Sequence, residues 1–384
     1  MFLLLIPLSL FAWWRWEKQK KEITQSQELE QLQALPYVQW SQQKEESSRI
    51  AVTRFDRTRA YSGYNLYTND VRLAYLMDMS GQRLHTWDLG RKKKCEYVLP
   101  LQNGELLGVC MGQGIWKVDW NSNVIWKNRM FVHHDVEPLP DRTFWTIRRE
   151  FNRPYKSRKV IFDSLQRLSA DGELMEKWST FEHLTELQRW HAPSPLEKPP
   201  KEASPKKYDY YHLNTVKVLP ENPYGRSDKR FQTGNILICL RNVNLIAILD
   251  SKTMKVVWGF GTNVLDWPHM PVMLSSGNIL VFDNGLHRKY SRVVEINPVS
   301  KQIVWSYEAK PQTGFYSGLQ GSAQRLPNGN TLICESARGH VFEVDPKGKI
   351  VWDFWNPEMK DGRRKTIYRF LRIPFHAVPR EKIK

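Results

Sequence analysis

Three histidines stand at related positions ahead of recurring turns, and their type and phase point to chemistry on an anion. With the leucine of each turn as reference, His134 lies five residues before Leu139, Asn214 five before Leu219 and His269 five before Leu274. His212 lies two residues before Asn214, and residues two apart in a strand share a face. His133 adjoins His134. Beyond the turns, Arg149 and Arg241 stand seven residues after Arg142 and Gly234. Imidazole can serve as nucleophile, acid, base or metal ligand. Guanidinium gives planar, multi-donor recognition of oxyanions. A metal centre fits this set less well, because apart from Asp135 no carboxylate accompanies the histidines at those positions. The four cysteines contain no CxxC pair, so no metal or cofactor is expected.

Such residues meet only if the elements carrying them converge. One pattern repeats along the chain: an apolar strand, a turn of acidic or small residues, and a second strand ending in Trp. The copies are AYLMDMSGQRLHTW, IWKVDWNSNVIW, LQRLSADGELMEKW, IAILDSKTMKVVW, VVEINPVSKQIVW and VFEVDPKGKIVW, ending at Trp87, Trp126, Trp178, Trp258, Trp305 and Trp352. Between them a second strand–turn–strand unit recurs, as in LSSGNILVFDNG and LPNGNTLICES. Two hairpins per repeat make a four-stranded blade, and six repeats predict an all-β, six-bladed β-propeller. A ring maps equivalent positions onto one circle, so the histidines are expected around its axis. The first blade lacks its second hairpin, and either TRAYSGYNLYTND or the C-terminal TIYRFLRIPFHAVP is expected to complete it. The long gap between Trp178 and Trp258 holds a proline-rich loop insertion, residues 181–207.

The propeller is expected over residues 51–384, after a polar linker at 17–50. Residues 1–16 are apolar and aromatic, and an apolar helix is expected there, acting as a signal or membrane anchor. The apolar run is shorter than the roughly 20 residues that a span requires. It also lacks a basic start and a small-residue cleavage site. The basic residues after it favour a cytoplasmic globular part, whereas export is the alternative. The protein is expected either to be exported, outside the cytoplasm, or to be anchored at the membrane through residues 2–16. Cys95 and Cys110 could bridge within one blade in an oxidising compartment, while Cys239 and Cys334 occupy one repeat position and read as buried thiols. The net charge of +17 reads as a solvated basic surface rather than a nucleic-acid site. No GxxxxGK[ST] loop is present.

YDYYHLNTVKVLP, GNILICLRNVNLIAILDSKTMKVVWGFG, HMPVMLSSGNILVFDNG and SRVVEINPVSKQIVWSY together resemble the bacterial aryl sulfotransferases. HHDVEPLP and the opening GYNLYTNDVRLAYLMDMSGQRLHTWDL are similar too, so the likeness covers about residues 60–355. It implies nucleotide-independent transfer of a sulfuryl group from an aryl sulfate to a phenol through a sulfohistidine. By motif position His269 matches the nucleophile. His212, Asn214 and Arg241 match groups that hold and polarise the sulfuryl oxygens, and His134 or its neighbour His133 matches a further stabilising histidine. Arg149 repeats the phase of Arg241 without a family motif and is expected beside the substrate. A non-catalytic propeller that binds or assembles is the competing expectation. The tryptophan repeats are also similar to those of quinone-dependent dehydrogenases, but no calcium ligand set accompanies them.

Overall fold

β-Branched and aromatic strands separated by Asp, Asn, Gly and Pro turns dictate hairpins, and hairpins are what form. A computed structural model describes residues 40–41, 44, 48–68, 72–90, 95–156, 158–192 and 208–383. The expected helix at 1–16, most of the linker at 17–50 and residues 193–207 of the insertion lie outside the described residues.

Six antiparallel blades follow one another. Blade 2 runs from its innermost strand Cys95–Pro100 through Leu106–Cys110 and Gly114–Val118 to Val124–Asn128. Blade 3 uses Val132–Pro138, Phe144–Tyr155, Arg158–Leu168 and Leu174–Ser179, and blade 4 uses Leu213–Val218, Ile236–Leu240, Leu245–Leu249 and Val256–Phe260. Blade 5 comprises Pro268–Met273, Ile279–Asp283, Arg292–Asn297 and Gln302–Tyr307. Blade 6 comprises Ser322–Arg325, Thr331–Glu335, His340–Val344 and Ile350–Trp355, with Ala51–Phe55 added as a fifth, outer strand. Blade 1 closes the ring: Tyr64–Thr68, Leu73–Met77 and Arg83–Asp88 accept Phe370–Ile373 from the C-terminal tail as innermost strand. Both stretches expected to complete the first blade therefore do so. Innermost strands pack on their neighbours around the circle, which leaves no inner sheet edge open.

Arg372 bolts the closure. Its guanidinium pairs with Glu343 of blade 6 at 3.0 Å and donates to Asn65 of blade 1 at 2.6 Å, all three being buried.

The core is divided into six layers, each between two adjacent blades. Each repeat tryptophan stands on the fourth strand of its blade and packs into the layer shared with the next blade, as the fixed phase predicts. Trp258, Trp305 and Trp352 also dock their indole N–H on a turn carbonyl of the next blade: Pro298 at 2.9 Å, Pro346 at 3.1 Å and Met79 at 2.9 Å. Trp87, Trp126 and Trp178 bury that N–H without an acceptor.

The described start of the insertion, Phe181–Ala192, is tied into the ring. It contains the one-turn helix Leu184–Leu187 with Leu187 buried. Glu186 accepts from the backbone N–H of Val256 at 2.7 Å.

Candidate active site

The innermost strands of blades 3, 4 and 5 begin at one end of the axis, and each breaks its ladder register there. In blade 3 His134 and Asp135 fall in the break, in blade 4 Asn214, and in blade 5 the two residues after His269. Such bulges re-aim side chains next to functional sites. His134, His212 and Met270 have φ of 64°, 52° and 50°, left-handed values that cost roughly 1–3 kcal/mol each for non-glycine residues. The repeat thus spends backbone strain where it delivers its histidines.

His269 is held by one nitrogen only. Its Nδ1 faces the Asn284 side-chain oxygen at 2.7 Å and the Trp267 carbonyl at 3.2 Å. Asn284 Nδ2 is engaged with the Ser317 and Gln320 carbonyls, so its oxygen must face the imidazole. Both neighbours of Nδ1 accept, so Nδ1 carries the proton and Nε2 presents its lone pair. That Nε2 is buried without a hydrogen-bond partner. Burial, and then the Arg241 charge, push the His269 pKa down to about 3, so the ring is neutral at neutral pH. Gly285, next to Asn284, has φ 69° and a Cβ there would meet the Tyr290 carbonyl at 1.8 Å. Only glycine fits the end of the FDNG motif.

Around the axis from His269, four side chains form a continuous chain. Tyr368 hydroxyl and His134 Nδ1 are 2.5 Å apart, His134 Nε2 and His212 Nε2 are 2.8 Å apart, and His212 Nδ1 and Asp209 Oδ2 are 2.6 Å apart. Burial, with neighbouring histidines and arginines, holds His134 and His212 well below the usual imidazole range. His134, rather than His133, makes the contact to His212. His133 stands behind it, fully buried, with Nε2 2.9 Å from Asp163, whose other oxygen accepts from the Leu213 N–H. Arg149 reaches Asp209 at 3.5 Å.

Arg241 follows the second strand of blade 4, buried, with its guanidinium 4.2 Å from the centre of the Trp267 ring. Its Nε donates to Asn242, whose amide donates to the Asp209 carbonyl, while Asn244 accepts from the Trp267 N–H. The LRNVN stretch is therefore a brace joining both histidine-bearing lead-ins. Asn214 clamps blade 4 to blade 5: Nδ2 donates to the Pro268 carbonyl at 2.9 Å and Oδ1 accepts from Thr215. The Cys239 thiol donates to the same carbonyl at 3.1 Å. Cys239 and Cys334 are buried free thiols, and Cys95 and Cys110 form a disulfide.

Every candidate named from the sequence thus lies at this end of the axis or directly behind it. Sequence reasoning missed Asn284, Asp209, Trp267 and Tyr368. Asn284 lies in the FDNG motif and Asp209 three residues before His212, so proximity to motif residues was an available signal. Tyr368 carries none, since it enters from the closing tail. Among the described residues no group of three or more His, Cys, Asp or Glu side chains is arranged to hold a metal.

The arylsulfotransferase (ASST) family profile matches residues 98–357, from the innermost strand of blade 2 to the end of blade 6. Among solved structures, a protein of unknown function from Bacteroides caccae is similar in fold. It matches 80% of this chain and 98% of its own at a TM-score of 0.53 and 16% identity. A streptogramin B lyase matches 83% of this chain and 87% of its own at a TM-score of 0.47 and 9% identity. No curated protein sequence matches the chain.

Proposed function

This chain belongs to the arylsulfotransferase family, and from that premise we propose that it moves a sulfuryl group from an aryl sulfate to a phenol by way of His269. The observation that carries the reading is the single-sided grip on His269: Nδ1–H held by Asn284 and Trp267, Nε2 buried and unpartnered. A neutral imidazole with a fixed tautomer is a ready nucleophile, and covalent catalysis splits one hard displacement into two easier ones. In the first, an Nε2–S bond forms as the aryl O–S bond breaks and a phenolate leaves. In the second, the acceptor oxygen attacks sulfur, the N–S bond breaks and the lone pair returns to Nε2. Arg241 supplies a fixed donor to the sulfuryl oxygens and the departing oxygen, and His212 and His134, whose ring nitrogens are engaged in the chain from Tyr368 to Asp209, line the site beside it. Asn214 and His133 hold that set in place, and Arg149 adds positive charge beside it.

The test is intact-mass analysis after mixing with 4-nitrophenyl sulfate. The expected result is a gain of one sulfuryl group on His269 and its loss when a phenol is added. His269→Ala should abolish both the adduct and turnover. A binding module would show neither adduct nor turnover in the wild type.

The proposal extends to location. The Cys95–Cys110 bridge supports an oxidising compartment, reached by export or by anchoring through residues 1–16. Cell fractionation that recovers the whole chain in the cytosol would sink this part.

A further inference from the structure

We propose that Tyr368 and Asp209 are the two ends of a proton wire that removes the acceptor phenol's proton, with Tyr368 as the base that touches the acceptor and Asp209 as the positioning and storing end. This rests on the sulfuryl-transfer reading above and goes beyond it, since that reading gives neither residue a role.

The direction of the wire follows from what each atom can do. The Asp209 carboxylate accepts the His212 backbone N–H at 3.1 Å and faces Arg149 at 3.5 Å. It can only accept, so His212 Nδ1 must carry a proton. A neutral His212 then offers the Nε2 lone pair, and His134 Nε2 must donate to it. His134 Nδ1 is left as an acceptor, and the Tyr368 hydroxyl that faces it at 2.5 Å donates to it. One carboxylate thereby sets two tautomers and one hydroxyl across three blades. The groups facing this wire are His133, His269, Arg149 and Arg241 around the histidines, and Glu96, Asp135, Arg369 and Arg241 around Tyr368.

Tyr368 sits two residues ahead of the innermost strand of blade 1, at the level where the other lead-ins deliver His133, His134 and His212. Its ring lies parallel to that of His134, 9° apart.

The transfer balances. As the acceptor oxygen attacks sulfur, its O–H breaks and a Tyr368 O–H forms. The original Tyr368 proton moves to His134 Nδ1, the His134 Nε2 proton to His212 Nε2, and the His212 Nδ1 proton to Asp209. The wire ends with its polarity reversed and one proton on Asp209. The same proton can return along the wire to the next departing phenolate.

The two half-reactions separate this inference from the reading on which it rests. With the full chain, 4-nitrophenyl sulfate gives a burst of nitrophenolate, which leaves without needing a proton. Decay of the sulfo-enzyme on adding phenol needs a base. Tyr368→Phe and Asp209→Asn should keep the burst within about threefold and slow phenol-dependent decay by about 10²–10⁴, the range for losing a general base or fixing the wrong tautomer. Pentafluorophenol, already ionised at the assay pH, should restore decay in both variants, which a merely structural role would not produce. Thermal melts of Tyr368→Phe check that the ring is intact. Decay at the wild-type rate in both variants, or equal losses with phenol and pentafluorophenol, overturns the wire and leaves His269 as nucleophile. Absence of any burst in the wild type overturns both.

Discussion

The two arcs of the ring are held together differently. From blade 4 through blade 6 into blade 1, each junction uses one device: an indole N–H docked on a turn carbonyl, repeated at Trp258, Trp305 and Trp352. From blade 1 through blade 3 into blade 4, the tryptophan is kept but its hydrogen bond is not. His85 instead reaches the Trp120 carbonyl at 2.9 Å and stacks on that ring at 3.7 Å. Asn128 donates to the Gly172 carbonyl, and Trp178 stacks on His183 at 4.9 Å. The irregular arc also carries the disulfide and the long hairpin of blade 3. Repetition therefore fixes where the blades go, while local devices adjust each junction. His269 belongs to the regular arc, gripped by Asn284 and clamped through Asn214. Its partners His134 and Tyr368 come from the irregular arc and from the closing seam.

The largest expected effect tests whether the irregular arc leans on its disulfide. Cys95 and Cys110 close a loop of sequence separation 15, for which chain-entropy arguments give about 3 kcal/mol. A Cys95→Ser/Cys110→Ser variant, or the wild type under reductant, should lose that much stability in denaturant melts. Identical melts with and without reductant would mean that blade 2 holds without its bridge and that the arcs differ less than their contacts suggest.

What both arcs share is the part that could be read from the sequence. Strand, turn and Trp recur because each blade must bury the same face against the next, so period and phase disclose six four-stranded units. For the same reason His134, His212, His269 and Arg241 could be found: the repeat that positions a strand also positions what precedes it. Tyr368 and Asp209 could not be found that way. Tyr368 meets His134 across 234 residues of chain, and the contact exists only because the tail supplies an inner strand. Asn284 acts by orienting another side chain, a role that spacing does not express. The unpaired indoles of blades 1 to 3 were equally hidden, since their tryptophans look identical in sequence to the docked ones.

Titration should separate the axis from the rim of blade 6. At the axis, His269 is neutral, with its pKa pushed down to about 3 by burial and Arg241. The unfolded chain binds a proton near 6.5 that the folded chain refuses. Stability from this group is complete above 6.5 and falls as the pH drops towards 3. Between pH 8 and pH 5 the loss comes to about 2 kcal/mol, and His269→Asn should lose correspondingly less over that range. His340 runs the other way. It lies between Glu335 at 2.8 Å and Asp353 at 2.6 Å, and these carboxylates outweigh burial and raise its pKa. Its contribution is complete below 6.5 and is lost as the pH rises through the folded value. A His340→Gln variant should therefore suffer more at pH 5 than at pH 8. Parallel pH profiles for the two variants would break the contrast.

The smallest effect isolates the docking bond itself. Trp258 and Trp178 occupy the same place in adjacent blades, are 1% and 2% exposed, and each fills the layer shared with the next blade. Replacing either with Phe removes the same ring volume from a packed interface, so the cavity cost should be similar. The hydrogen bonds differ. Trp258→Phe deletes the donor to the Pro298 carbonyl and leaves that carbonyl without it, whereas Trp178→Phe deletes an N–H that was already buried unpaired. A typical net hydrogen bond contributes about 1 kcal/mol, and an unsatisfied buried group costs at least as much. Trp258→Phe should therefore be the more destabilising by about 1 kcal/mol or more, measured as a difference in urea midpoints at unchanged slope. Equal losses would mean that the indole N–H of the regular arc contributes only shape, and that both arcs are held by packing alone.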